Sequence, residues 1–128
     1  MSGRRILVIE DNERNLKLVR DVLRYAGYEV VEARSGEQGV ALATDVPPDL
    51  VLMDIQLPGM DGMEALKLLR ASPVTRAVPV VAVTAFAMKD DRDRALGAGF
   101  DGYLEKPVSV RALPEQVRGF LDGKGVSG

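Results

Sequence analysis

The chain contains no cysteine and no histidine. Without cysteine it forms no disulfide and has no thiol nucleophile, and without either residue the usual zinc ligands are missing. Acid–base catalysis by an imidazole is excluded as well. Any chemistry that the protein performs must therefore depend on carboxylates, hydroxyls, amides, lysine or arginine.

Long apolar runs and a strong net charge are also missing. Nothing approaches the roughly 20 consecutive apolar residues that a membrane span needs, and 17 basic against 19 acidic residues leave a net charge of -2. There is no basic excess for nucleic acid and no basic helix for a membrane surface. Because Met1–Arg5 is too short for a signal peptide, we expect a cytoplasmic protein without membrane insertion or direct nucleic-acid binding.

A length of 128 residues predicts one domain. A chain of this size can bury about two-thirds of its unfolded surface, which is enough for one core. We expect that domain to occupy residues 1–128, with a core at about 4–121 and a Gly-rich, flexible tail at 123–128.

Short apolar runs alternate with helical patterns along the whole chain, which predicts βαβ units and a parallel sheet. The predicted strands are Arg5–Ile9, Glu29–Ala33, Leu50–Asp54, Val80–Thr84 and Gly102–Glu105. Two sheet orders fit five such units: a flavodoxin-like order 2-1-3-4-5, and a half-Rossmann order that separates strands 1 and 3. Polar residues at the ends of strands 1 and 3 favour the flavodoxin-like α/β fold.

Helix boundaries and buried helix faces are predicted from caps and periodicity. Asn12 is the expected N-cap of the first helix, and Leu18 is expected to widen its apolar stripe. Leu68 is expected in the core beneath the third helix. Pro114 fits only the first turn of a helix, so regular helix should begin near it, after a tight turn that follows Ser109.

Polar groups end or follow four of the five strands. Glu10 and Asp11 follow the first strand, Asp54 ends the third, Thr84 ends the fourth and Lys106 follows the fifth. The carboxyl ends of parallel strands meet at one edge of the sheet, where open α/β sheets bind ligands. Taken singly, each group has an ordinary explanation as a turn former, a helix cap or a solvated charge. Their joint occurrence on four strands predicts a site.

This set of residues indicates phosphoryl chemistry with a hard cation. Clustered carboxylates do not stay ionised together without a counter-charge, and Mg²⁺ prefers oxygen ligands. Lys106 can hold a phosphoryl oxygen and Thr84 can donate its hydroxyl. Asp54 ends the strand that we expect to be the most buried, so it is the best candidate for a nucleophile that forms an aspartyl-phosphate.

The motifs around these residues resemble the receiver domain of bacterial response regulators over about residues 4–121. They are Glu10-Asp11, the run 53–62 (MDIQLPGMDG), Val83-Thr84-Ala85 and Lys106-Pro107. The resemblance implies that Asp54 is the phosphoacceptor and that Thr84 and Lys106 contact the phosphoryl group. It implies Mg²⁺ ligands at Glu10, Asp11, Asp54 and the backbone carbonyl of Gln56. It also implies a cis bond before Pro107 and a switch aromatic at Tyr103.

A narrower similarity concerns residues 10–12 with 15–16, 53–58 and 82–89, which resemble single-domain regulators of the DivK cell-division type. The implied partners are a sensor histidine kinase or a histidine phosphotransfer protein in a two-component system or phosphorelay. The implied output is protein contact through the fourth helix, the fifth strand and the fifth helix, because no DNA-binding module follows. The protein would assist its own phosphorylation and dephosphorylation without turning over a separate substrate.

Two other functions are compatible with parts of the pattern. An aspartate-dependent phosphohydrolase of small phosphoesters would use Asp54, but Gln56 stands where that chemistry needs a second acid. A flavodoxin-type flavin carrier would need a phosphate-binding loop where Glu10 and Asp11 lie. For the receiver-type switch, we expect Thr84 to move toward the phosphoryl group and Tyr103 to turn inward behind it. The alternative is that Tyr103 is only a rim residue.

Overall fold

A computed structural model describes residues 4–85 and 89–122. The expected tail at 123–128 and part of the block at 82–89 therefore lie outside the described residues. In the described ranges no helix combines the length and the apolar character that a membrane crossing requires.

Strands and helices alternate strictly along the chain. In order they are β1 Arg5–Ile9, α1 Glu13–Tyr25, β2 Glu29–Ala33, α2 Gly36–Asp45, β3 Leu50–Asp54, α3 Gly62–Ala71, β4 Val80–Thr84, α4 Lys89–Ala98, β5 Gly102–Glu105 and α5 Leu113–Leu121. The strands form one parallel sheet in the order β2-β1-β3-β4-β5. The predicted flavodoxin-like fold and the five predicted strands are confirmed.

The core consists of two layers, one on each face of the sheet. On one face α1 and α5 cover alternate strand residues such as Ile6, Val8 and Leu52. On the other face α2, α3 and α4 cover Leu7, Met53 and their neighbours. Both faces of β3 and β4 are buried, which is why their sequences are apolar without alternation.

The predicted boundaries of α1 and α5 are confirmed, but two residues that were predicted to lie in the core are exposed. The Asn12 side chain accepts a hydrogen bond from the Asn15 N–H at 3.0 Å, so the cap of α1 is confirmed. A turn precedes α5, and Pro114 is the second residue of that helix, as predicted. Leu18 and Leu68, however, are 37% and 46% exposed. The predicted apolar stripes were too wide, because each helix contacts the sheet through a narrower strip than periodicity alone suggests.

At the amino ends of the strands, Arg70 connects three segments. Its guanidinium donates to the carbonyls of Val78 at 2.7 Å and Gly99 at 3.1 Å, and to Asp101 Oδ2 at 2.6 Å. Asp101 Oδ2 also accepts the Val80 N–H at 2.8 Å. The carboxyl end of α3 is thereby bonded to the connections that lead into β4 and β5.

Candidate functional site

Strand register brings the acids of β1 and β3 together. Ile9 pairs with Met53, so the residues that follow them, Glu10 and Asp54, lie side by side at the carboxyl edge of the sheet. Asp54 in turn pairs with Val83, which places Thr84 one residue beyond it on the next strand. The sheet order, rather than proximity in sequence, thus assembles the predicted site.

The alternation of side chains divides the site between the two faces of the sheet. Glu10 and Asp54 continue the strand positions of Val8 and Leu52, which face α1 and α5. Thr84 continues the positions of Val80 and Ala82, which face the other helical layer. The period of two along a strand therefore puts the acids on one face and the threonine on the other.

Lys106 connects the two buried acids. Its Nζ lies 2.9 Å from Glu10 Oε1 and 2.9 Å from Asp54 Oδ2. The three side chains are only 17%, 7% and 6% exposed, respectively. β5 lies two strands from β3, which is about 10 Å at the usual strand spacing. A long lysine side chain covers that distance, and its ammonium is the counter-charge of the pair.

Backbone N–H groups hold the remaining oxygens of the two buried acids. The Asn12 N–H donates to Glu10 Oε2 at 3.1 Å, and the Gln56 N–H donates to Asp54 Oδ1 at 2.8 Å. In each acid, one carboxylate oxygen therefore accepts a hydrogen bond from a fixed backbone N–H, and the other oxygen is paired with the flexible Lys106 side chain. These contacts fix the orientation of both carboxylates before any ligand arrives.

Burial and ion pairing shift two pKa values in the site. Burial raises the pKa of Glu10, and the charge of Asp54 adds to the rise, although Lys106 and the Asn12 N–H oppose it. Burial alone would lower the pKa of Lys106, but its hydrogen bonds to Glu10 and Asp54 outweigh that effect and the pKa is raised. Lys106 is thus a permanent cation at neutral pH.

Asp11 completes the acidic cluster from the exposed side. One oxygen from each of Glu10, Asp11 and Asp54 lies within 4.8 Å of the other two. Two oxygens on one Mg²⁺ at its usual bond length are at most about 4 Å apart, so small side-chain rotations suffice for shared coordination. Three carboxylates against one ammonium also leave a net charge that a divalent cation neutralises. The donor set therefore fits Mg²⁺.

Thr84 and Tyr103 are both buried. Thr84 is 0% exposed, and its carbonyl accepts the Lys106 N–H at 2.8 Å. Tyr103 is 5% exposed and packs in the layer beneath α2, α3 and α4. Burial, together with the charges of Asp91 and Glu105, raises its pKa. Tyr103 is thus not a rim residue. Because its ring is already buried in this conformation, the structure does not contain the outward position from which the expected inward turn would start.

One backbone feature near the site was implied by the family resemblance and is present in the structure. The bond between Lys106 and Pro107 is cis, so that prediction is confirmed. Gln56 follows Asp54 in the loop 55–61, which closes where the Gly62 N–H donates to the Ile55 carbonyl at 3.2 Å. The backbone carbonyl of Gln56 therefore belongs to the segment that Asp54 Oδ1 orients through the Gln56 N–H.

Sequence reasoning missed two features of the site. It assigned Lys106 to a phosphoryl oxygen and did not predict the ion pair with Glu10, because strand order alone does not show that the Lys106 side chain reaches past β4 and β3 to β1. It also gave no role to Gly62, although a glycine directly after the cap Asp61 was a visible signal. A methyl group at Gly62 would lie 2.6 Å from the Ile55 Cα, so the loop closes only around a glycine.

Known proteins share both the sequence and the architecture. The family model for the response regulator receiver domain matches residues 6–118. A polar-differentiation response regulator DivK from Brucella ovis is 45% identical over 116 residues, which are 91% of this chain and 94% of that protein.

Two solved structures agree with the same assignment. A receiver domain of a sensor histidine kinase from Pseudomonas aeruginosa, with magnesium in its active-site cleft, has a TM-score of 0.87 and 36% identity over 94% of this chain and 99% of that one. A response regulator from Chloroflexus aurantiacus has a TM-score of 0.89 and 31% identity over 94% and 99% of the two chains. The chain belongs to the response regulator receiver domain family.

Proposed function

We propose that the protein is a single-domain response regulator that accepts a phosphoryl group on Asp54 with the help of Mg²⁺ and then changes its protein contacts. The observation that carries this proposal is the position of Asp54. Its carboxylate is buried at the edge of the sheet in a cluster with Glu10 and Asp11, and the ammonium of Lys106 lies 2.9 Å from its Oδ2. Phosphoryl transfer needs acids that bind a metal cation and a positive group, such as a lysine, that binds the phosphoryl oxygens.

The two oxygens of Asp54 have different roles in this mechanism. Oδ1 accepts the Gln56 N–H, and this bond orients the carboxylate. Oδ2 is held by Lys106, whose side chain can swing to a phosphoryl oxygen. We assign Oδ2 as the nucleophile, because its lone pairs become free when the ammonium moves to the incoming group.

The proposed reaction transfers one phosphoryl group from a histidine of the donor protein to Asp54. A phosphohistidine donor presents its phosphorus to Oδ2, the new O–P bond forms and the N–P bond breaks. The imidazole nitrogen keeps the electron pair of the broken bond and takes up a proton from solvent. Lys106 then pairs with the phosphoryl oxygens, and Thr84 donates its hydroxyl to one of them.

Glu10, Asp11, Asp54 and the Gln56 backbone carbonyl would hold Mg²⁺, either directly or, for Glu10, through water. When bound, the ion supplies positive charge that offsets the repulsion between these carboxylates and the phosphoryl oxygens. The magnesium in the cleft of the Pseudomonas aeruginosa receiver domain supports the assignment.

The proposed output is a shift of population at Thr84 and Tyr103. The structure contains the inward Tyr103, which is the position that we assign to the phosphorylated state. Phosphorylation would therefore favour this conformer over others instead of creating it. The surface made by α4, β5 and α5 would then bind a downstream protein more tightly.

The partners follow from the family and from the similarity to DivK. A sensor histidine kinase or a histidine phosphotransfer protein would supply the phosphoryl group, in a two-component system or a phosphorelay. We further propose that no separate substrate is turned over, because Gln56 cannot protonate a leaving group as the second acid of a phosphohydrolase would. Phosphate would be stored on Asp54 rather than released continuously.

Labelling with acetyl phosphate and Mg²⁺ tests the proposal directly. We expect a mass gain of one phosphoryl group that maps to Asp54, disappears in Asp54→Asn and requires the metal. Asp45→Asn, at an exposed position, is the matched control and should label normally. Labelling that persists in Asp54→Asn would refute the phosphoacceptor assignment, and labelling that persists in excess chelator would refute the requirement for Mg²⁺. Continuous release of phosphate at many turnovers per minute would instead support the phosphohydrolase.

Beryllofluoride, which mimics the phosphoryl group, tests the output. A partner should bind wild-type protein more tightly with beryllofluoride than without it, and Thr84→Ala should remove this difference while labelling at Asp54 continues. Equal partner affinities in all four states would show that Thr84 does not couple the site to this surface.

A further inference from the structure

Two glycines outside the acidic cluster brace the loop 55–61. Gly36 is the first residue of α2, and a Cβ built there would lie 2.8 Å from the Met60 carbonyl oxygen and 3.3 Å from the Met60 Cγ. At Gly62, the first residue of α3, a Cβ would lie 2.6 Å from the Ile55 Cα. Real Cβ atoms do not come within 3.0 Å of such neighbours. The loop therefore has this path only because neither position carries a side chain.

The two contacts act on the same short segment. Met60 lies against Gly36, and two residues later the Gly62 N–H donates to the Ile55 carbonyl at 3.2 Å. Ile55 directly precedes Gln56, the residue whose backbone carbonyl belongs to the proposed metal site. A displacement of Met60 is therefore carried through Gly62 to Ile55 and Gln56.

The loop 55–61 is displaced more easily than the start of α2. The Ser35 Oγ accepts the Gln38 N–H at 3.1 Å and fixes the start of α2. One turn later Gly39 lies so close to β1 that a Cβ there would be 2.3 Å from the Ile9 Cδ1. Pro58 and Gly59, by contrast, are exposed. A side chain added at residue 36 therefore pushes the loop outward rather than moving α2.

We propose that Gly36 is a positioning residue for the metal site, because the bare start of α2 sets the position of the loop that carries Gln56. This inference rests on the proposed function, since it concerns Mg²⁺ held by that loop. Mg²⁺ demands near-ideal octahedral geometry, and sites lose function when supporting groups move by about 0.5 Å. Loss of a supporting contact around a metal typically weakens affinity by about 10- to 100-fold. For Gly36→Ala we expect a loss of about tenfold.

Calorimetric titration with MgCl₂ tests the inference in Gly36→Ala and in Gly119→Ala, a matched control where an added Cβ meets nothing within 4 Å. We expect Gly36→Ala to bind Mg²⁺ about tenfold more weakly and to regain the wild-type rate of labelling by acetyl phosphate at saturating Mg²⁺. Gly119→Ala should retain wild-type affinity. Circular dichroism at the titration temperature reports whether each variant is folded.

A purely structural role of Gly36 would lower the melting temperature and leave the Mg²⁺ affinity unchanged, and that result would overturn the inference. If Gly36→Ala does not fold in buffer, the titration is repeated for all three proteins in sucrose, which stabilises folded states; unchanged affinity there would overturn the inference equally. The proposed function fails separately, if wild-type protein neither binds Mg²⁺ nor becomes labelled.

Discussion

Replacing Lys106 with methionine should destabilise the protein strongly when no metal is bound. Methionine keeps the apolar stem but removes the ammonium that lies 2.9 Å from both Glu10 and Asp54. These two carboxylates are 7% and 6% exposed, so water cannot replace the lost partner. Removing one partner of a buried ion pair typically costs about 3–5 kcal/mol. We take the lower limit, about 3 kcal/mol, because the Lys106 side chain retains 17% exposure.

That free energy corresponds to a large change in melting temperature. A domain of 128 residues has an unfolding entropy of about 0.27 kcal/mol/K near 60 °C. Lys106→Met should therefore melt about 10 °C lower than wild type in EDTA. Thermal unfolding followed by circular dichroism measures the difference. Lys17→Met is the matched control, because among the described residues Lys17 forms an ion pair with Asp21 alone, and its side chain is 68% exposed. That control should show at most a small shift.

Metal and pH provide two further readings of the same variant. Mg²⁺ should stabilise Lys106→Met more than wild type, because the cation replaces the missing counter-charge. The loss of stability in Lys106→Met relative to wild type should also be smaller at acid pH. Burial raises the pKa of Glu10 from 4.5, so its contribution to stability is favourable below about pH 4.5 and is lost as the pH rises through the folded-state value. An unchanged melting temperature in EDTA, or an equal loss in Lys17→Met, would refute the assignment of Lys106 as the counter-charge.

Two other perturbations test parts of the fold away from the acids. Arg70→Lys should lower stability by about 2 kcal/mol, because one ammonium cannot reach the carbonyls of Val78 and Gly99 and the carboxylate of Asp101 together. Its denaturation midpoint should fall while labelling at the site continues, and a midpoint equal to that of wild type would contradict the role of the guanidinium. Tyr103 should ionise above its ordinary pKa of 10.0 because it is buried. Its stabilising contribution is therefore present below pH 10 and lost as the pH rises through the folded-state pKa. An absorbance titration of wild type against Tyr103→Phe measures this, and ionisation of Tyr103 below pH 10 would show that the ring is exposed in solution.

The strands and the polar edge could be predicted because they depend on local patterns. β1, β3 and β4 are short apolar runs that end at or just before a polar residue, whereas β2 has Val30-Val31 between two glutamates. β3 and β4 are so apolar that no helix pattern competes. Parallel strands then bring their carboxyl ends together whatever the loops do. Asp54 and Thr84 could thus be placed at one edge from the chain alone.

Predictions that depended on the distance between elements succeeded less often. Leu18 and Leu68 fit the apolar period of their helices but are exposed, because the tilt of a helix on the sheet decides which flanking residues it covers. The Glu10–Lys106 pair and the contact of Gly36 with Met60 join elements that are far apart in sequence. No local pattern encodes either contact, so only the assembled sheet and helices show them.

The amino and carboxyl ends of the sheet differ in how completely their charged groups are paired. At the amino end, Arg70 and Asp101 satisfy each other and the carbonyls around them. At the carboxyl end, three acids cluster beside one ammonium, which pairs with Glu10 and Asp54, and burial raises the pKa of Glu10. Ionised Glu10 thus costs stability at neutral pH, which is the usual consequence of a site built to bind a ligand. A bound cation would lower this cost, because it stabilises the ionised form of the acids.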